Sequence, residues 1–98
     1  MYRFVMTRAR VDFGGDNFAD VDLNDSGASK WLVSAKNLTD LTLAIKNFVS
    51  ERRGQIVEVS NDVVQFDTKE MTIWGKVEFG LGQKLDQDKC SELEILLS

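Results

Sequence analysis

The sequence predicts an α+β fold: an antiparallel sheet of about six to seven strands in the order β-β-β-α-β-β-β, with one helix packed on one face. A C-terminal strand is the candidate last element. Three observations predict this. Residues 1–36 alternate apolar and polar at period two, residues 38–53 carry one apolar stripe at helical spacing, and residues 55–79 return to period two. The chain has 98 residues, of which 43% are hydrophobic and 29% charged, and it shows no linker, repeat or low-complexity tract. Residues 1–98 therefore read as a single globular domain.

The first strand places Val5, Thr7, Ala9, Val11 and Phe13 on one face and Met6, Arg8, Arg10 and Asp12 on the other. Gly14-Gly15-Asp16 is a turn signal. The next strand runs from Asn17 to Leu23. A three-residue loop at 14–16 pairs Phe13 with Asn17, Val11 with Ala19, Ala9 with Val21, Arg10 with Asp20 and Arg8 with Asp22. A loop one residue longer or shorter would set Val11 and Ala9 against aspartates, so only an odd loop keeps one face dry. Such a loop calls for positive φ at Gly14 or Gly15. Asn24-Asp25-Ser26-Gly27 reads as the next turn, and Trp31, Val33 and Ala35 then alternate as a third strand.

The helix is expected over 38–53. Asn37 is its N-cap with Asp40 three residues on, and Leu38, Leu41, Ala44, Ile45, Phe48 and Val49 form its stripe. Arg52 and Arg53 suit the negative helix end, and Gly54 is expected at C′. Leu43 projects on the polar side. Beyond the helix, a turn at 60–63 pairs Val59 with Val64 and Val57 with Phe66, and a turn near Lys69-Glu70 sets Phe66 against Ile73 or Met71. The core face of this meander carries Val57, Val59, Val64, Phe66, Met71, Ile73, Gly75, Val77 and Phe79. Its outer face carries Ile56, Glu58, Val63, Gln65, Asp67, Thr72, Trp74, Lys76 and Glu78. In the tail, Leu93, Ile95 and Leu97 alternate with Glu92, Glu94 and Leu96, which favours a last strand over a short helix from Asp88.

Composition narrows the chemistry. There is no histidine, so His-based catalysis and the commonest metal ligand are absent from the chain. Cys90 is the only cysteine, so it forms no intramolecular disulfide and has no imidazole to activate it. No signal-like apolar stretch opens the chain and no run approaches about 18 apolar residues, so the expectation is a cytoplasmic protein with no membrane contact. The net charge of −4 disfavours direct nucleic-acid binding and favours a protein partner with a basic surface. Arg3, Arg8, Arg10, Tyr2 and Phe4 could imitate a base-stacking sheet, but Asp20 and Asp22 neutralise two of those arginines. No phosphate loop or carboxylate pair of defined spacing is present, and neither cofactor nor catalytic residue is expected.

Two function classes follow. The first is a non-catalytic protein-binding module, a small acidic stoichiometric inhibitor of another macromolecule, of the toxin-immunity or phage anti-defence (anti-CRISPR) kind. The alternative is a small enzyme or ligand-binding domain with a carboxylate-based site. For the first, the candidate partner-binding residues are Trp74, Ile56, Glu58, Val63, Gln65, Lys76 and Leu43, centred on a tryptophan in the polar register of its strand. The structural reading of Trp74 stands beside it: Tyr2 and Phe4, or the C-terminal segment, cover the ring.

Asp20-Val21-Asp22-Leu23-Asn24 resembles the start of an EF-hand calcium loop. However, the sixth position is Asp25 where the loop needs Gly, and the twelfth is Trp31 where it needs Glu. The melting temperature is therefore expected to be the same in millimolar calcium and in EDTA; a rise of several degrees with calcium would contradict this reading.

Overall fold

The computed structural model describes residues 1–22 and 30–98, with the backbone alone at 21, 22, 30 and 31. Its strands are β1 (Tyr2–Gly14), β2 (Asn17–Asp22), β3 (Lys30–Ala35), β4 (Gln55–Ser60), β5 (Val63–Asp67), β6 (Met71–Phe79) and β7 (Gln83–Lys84). The helices are α1 (Leu38–Glu51) and α2 (Gln87–Leu97). All seven strands form one antiparallel sheet in the order β2-β1-β6-β5-β4, as the alternation predicts in kind. The first three strands are not a meander. β3 returns to β1, pairing Tyr2–Met6, while β2 pairs the far half of the same strand from Arg8 to Gly14. β7 adds to the end of β6.

The N-terminal register is the expected one from Arg8↔Asp22 to Val11↔Ala19. At the tip, Gly14 and not Phe13 opposes Asn17, so Phe13 is an unmatched bulge residue and is 70% exposed. Both Gly14 and Gly15 have positive φ, at 92° and 62°. The Gly14 amide donates to Asp12 Oδ1 at 2.8 Å, which tightens the turn.

Three bulges move side chains from one face to the other. On β1, Met6 opposes Gly75 and Arg8 opposes Trp74, leaving Thr7 as the extra residue. The core side of β1 is therefore Tyr2, Phe4 and Met6 before the bulge and Ala9 and Val11 after it, facing Phe79, Val77, Gly75, Ile73 and Met71 in turn. The expected assignment of Val5 and Thr7 to the core face, with Met6 opposite, holds only for the second half. Val5 is buried, 3% exposed, but on the other side of the sheet, beside Arg3. On β4, Ile56 opposes Phe66 and Glu58 opposes Gln65, so Val57 is the extra residue. Ile56 turns inward to the core and Val57 outward, the reverse of the sequence expectation. On β3, Leu32 is skipped between Val33 and Trp31.

Helix α1 has its N-cap where expected: Asn37 Oδ1 accepts from the Asp40 amide at 2.8 Å. Leu38, Leu41, Ile45 and Val49 are buried against the sheet. Its C-terminal end is a Schellman turn, with Gly54 N donating to Val49 O at 2.8 Å and Arg53 N to Ser50 O at 2.9 Å. The C′ residue is Arg53, at φ 52°, and not Gly54. Gly54 is required one position later, because a Cβ there would lie 2.8 Å from the Asp67 carbonyl oxygen as β4 enters beside β5.

The tail is a helix. Asp86 caps α2 by accepting from the Lys89 amide at 2.8 Å. Cys90, Leu93 and Leu97 are buried at i, i+3 and i+7, while Ile95 is 72% exposed, so helical spacing and not alternation decides burial. Glu94 Oε1 accepts from the Asn61 amide at 2.7 Å and ties α2 to the β4–β5 turn. The 66–73 register is Phe66↔Ile73.

The core centres on Phe4, Phe66, Leu41, Ile45, Leu93, Val64 and Val77, all fully buried. Phe4 lies over Gly75, where an added Cβ would overlap its ring. Gly75→Ala is therefore expected to cost about 1–3 kcal/mol by overpacking. In Phe4→Leu/Gly75→Ala the ring is gone, so urea denaturation should show a loss smaller than the sum of the two single variants.

Candidate functional site

Both helices pack on the core face, and among the described residues no helix or strand covers the other face of the sheet around β5 and β6. That face is built by alternation: Thr72, Trp74, Lys76 and Glu78 from β6, Val63 and Gln65 from β5, and Arg8 and Arg10 from β1 beyond its bulge. Trp74 sits at its centre, directly opposite Gln65 on one side and Arg8 on the other. It lines a depression of about 210 Å³ together with Glu58, Ser60, Val63 and Gln65.

Polar contacts surround Trp74 on this face, one to its ring and one to its backbone. The Arg8 guanidinium stacks over the indole at 4.3 Å from its centroid, a contact that contributes about 0.5–1 kcal/mol at exposed sites. Thr7, the bulge residue, donates its hydroxyl to the Trp74 carbonyl at 3.2 Å. A second stack repeats the pattern toward the hairpin tip, with Arg10 over Phe18 at 4.5 Å. Asp20 joins the two arginines: its carboxylate accepts from Arg10 Nε and Nη2 at 2.8 and 3.1 Å and lies 3.7 Å from Arg8. At the opposite end Arg3 pairs with Glu78 at 2.7 Å, with side chains only 7% and 16% exposed. Removing one member of such a pair leaves a charge in a dry setting and costs about 3–5 kcal/mol.

The seven partner-binding candidates divide. Trp74, Glu58, Val63 and Gln65 come together in the depression, and Lys76 lies beside Val63 across the β5–β6 ladder, 3.8 Å from Asp62. Ile56 belongs to the core side, for the reason of the β4 bulge. Leu43 is 58% exposed but on α1, which packs on the opposite face from Trp74, so it is not part of this surface. Tyr2 and Phe4 do not cover Trp74: Phe4 is in the core and Tyr2 stacks on Phe79, centroids 5.0 Å apart. Neither does α2, which packs against α1 and β4. The ring is half-buried by its own neighbours. With Phe4 and Tyr2 turned to the helices, the aromatics that accompany the arginines are Trp74 and Phe18. Phe18 lies opposite Asp12, on the same face as Asp20.

The other candidate chemistry is sparse. The EF-hand-like segment lies largely outside the described residues, as do the turn at 24–27 and the side chains of Asp22 and Trp31. Among the described residues, no group of three or more Cys, Asp and Glu is arranged to hold a metal. Cys90 is buried and its thiol is pushed up by burial, which disfavours the thiolate. No helix among the described residues is long and apolar enough to cross a membrane. Comparison with family models, with curated proteins and with solved structures returns no match to this chain.

The Asp20 hydrogen bonds have a pH signature. Donation from Arg10 holds the Asp20 carboxyl below its ordinary value of 3.8, with Arg8 adding to the effect. A lowered folded-state pKa means the folded state binds fewer protons, so this contribution is complete above the ordinary carboxylate value and is lost as pH falls through the lower, folded one. In a carboxyl-detected NMR titration, Asp20 is expected to titrate below 3.8 in the wild type and to move up toward it in Arg10→Ala. An unchanged midpoint would remove the bidentate pair from the account of this face.

Proposed function

We propose that this chain is a non-catalytic protein-binding module that docks a partner on the helix-free face of its sheet, with Trp74 as the anchor. The observation that carries the reading is the Trp74 depression. A large aromatic, stacked against Arg8, lines a concavity with Val63 and Gln65, on a face that no other element of the described chain occupies. Half-buried aromatics set among polar groups are the residues from which interface hot spots are made.

The partner's chemistry follows from charge. The arginines of this face are already matched by Asp20 and Glu78, and Lys76 by Asp62. Asp12, Glu58 and Asp67 are acids of this face with no cation in ion-pairing range among the described residues. Together with a net charge of −4, this favours a protein whose contact surface is basic around an apolar pocket. A module of this kind acts by occupancy, as a stoichiometric inhibitor does, with no chemistry of its own. The toxin-immunity and anti-defence kinds of inhibitor are the setting in which such a domain is expected.

The test compares variants against a partner captured from the native host lysate. Trp74→Ala should weaken capture by about 2 kcal/mol or more, roughly thirtyfold in Kd. Val63→Asp should do the same, and Leu43→Asp on the helix side should leave it unchanged. Equal capture by all three, or loss only in Leu43→Asp, would move the binding surface elsewhere. Urea denaturation of each variant separates this from instability: a half-buried Trp74 should lose less than the roughly 3–5 kcal/mol of a core aromatic.

A further inference from the structure

A second concavity, larger than the one at Trp74, lies elsewhere on the chain. It lies on the helix side of the sheet, between the C-terminal end of α1 and the β5–β6 turn, and has a volume of about 400 Å³. Ligand pockets begin at roughly this size. Met71 and Ile73 form its floor, and Arg52, Arg53 and Lys69 stand around it with Glu70 as the one acid. The lining carries three cations and one carboxylate, and with Glu51 3.8 Å from Arg52 a net positive charge remains there in a chain whose net charge is −4.

The helix end accounts for only one of these cations. Arg52 Nη1 donates to the Phe48 carbonyl at 2.9 Å, and its guanidinium lies 3.5 Å from the Phe48 ring centroid. That is a capping role, and it fixes the side chain while using one of its five N–H donors. Its ion pair with Glu51, at 3.8 Å, is exposed and weak. Arg53 and Lys69 have neither an ion pair nor a side-chain hydrogen bond among the described residues. Long cations on open surface are ordinarily just solvated. Here they converge, from two separate elements, over an apolar floor that includes Ile73, only 6% exposed. A fixed guanidinium beside two uncommitted cations suits an oxyanion, and the floor suits a hydrocarbon body.

We propose that this cleft binds a small organic oxyanion: a molecule with one phosphate or carboxylate head, held by Arg53, Lys69 and the free edge of Arg52, and an apolar or aromatic body resting on Met71 and Ile73. The proposal is independent of the Trp74 reading, because the two surfaces lie on opposite faces of the sheet.

The test is a ¹H–¹⁵N NMR titration of the whole chain with four probes: phenyl phosphate, phenylacetate, inorganic phosphate and phenol. Phenyl phosphate or phenylacetate should shift the amides of residues 52–54 and 67–71 saturably while those of 63, 65 and 74 stay still. The tighter of the two identifies the head group. Inorganic phosphate and phenol, each carrying half of the recognition, should bind at least about tenfold more weakly. Arg53→Gln/Lys69→Gln should keep the wild-type spectrum away from the cleft and lose about tenfold or more in affinity, the scale of a charge-assisted hydrogen bond. Lys46→Gln, elsewhere on α1, should bind as the wild type does. No saturable shift with either anion, shifts centred elsewhere, unchanged affinity in the double variant, or phenol binding as tightly as phenyl phosphate would each overturn the proposal.

Discussion

Phe4 packs its ring where a side chain at Gly75 would stand, and the two faces of the sheet are arranged around that contact. The central pair of strands is β1 and β6, and a ring can lie between them and α1 only where its partner strand has no side chain. Once Phe4 takes that place, Tyr2 and Met6 share its side of β1. The second half of the strand, however, must turn Ala9 and Val11 inward to meet Ile73 and Met71. Even and odd positions cannot both face the core in one regular strand. The Thr7 bulge resolves this by one extra residue, and its hydroxyl is used at once on the Trp74 carbonyl. The bulge therefore also determines what the outer face displays. Arg3 and Val5 precede it, and Arg8 and Arg10 follow it, so that Arg8 arrives directly beside Trp74.

What could be read from the chain was whatever a short-range period or a local cap dictates. The β1–β2 register followed from matching arginines to aspartates at a fixed odd offset, and it holds from residue 8 to residue 22. The α1 N-cap, the core side of β6 and the outward placement of Trp74 followed equally from local rules. Four of the seven candidate binding residues meet in one depression because they lie on regular stretches of β5 and β6 or next to the β4 bulge in the correct phase.

What was not legible depended on long-range demands. Nothing local marks Thr7 or Val57 as bulge residues; each is extra only because of the strand it meets. That is why Val5, Met6, Ile56 and Val57 exchange faces. The α2 segment satisfies both periods for Leu93 and Leu97. The choice falls to the local Asp86 cap together with two long-range demands, the burial of Cys90 and the Glu94 contact with the β4–β5 turn, which exist only once the sheet is assembled. The cleft beyond α1 has the same character. Arg52 and Arg53 were visible as helix-end residues, but Lys69 and Met71 reach them only through the β5–β6 pairing. Gly54 could not serve as the C′ residue because the passing Asp67 carbonyl already required its missing Cβ, and the left-handed position fell to Arg53.

The outer face is also shaped by how its charges are spent before any partner arrives. An arginine that must be ordered and stripped of water on binding lowers affinity through both terms. Arg8 and Arg10 are already ordered, each stacked on an aromatic ring and joined through Asp20, and Arg3 is already out of water against Glu78. A partner meeting this surface would find the cations matched and the tryptophan held in place, with Glu58 and Asp67 left at the edge. Such a surface favours recognition by shape at its centre and by charge at its rim. That division is the usual one in protein interfaces, where buried anchors supply affinity and peripheral charges set encounter rate and partner choice. A catalytic site shows the opposite economy: its charged groups remain unmatched until substrate supplies the missing partner. On the Trp74 face the arginines are matched by Asp20 and Glu78 within the chain itself, so its charge arrangement is of the first kind.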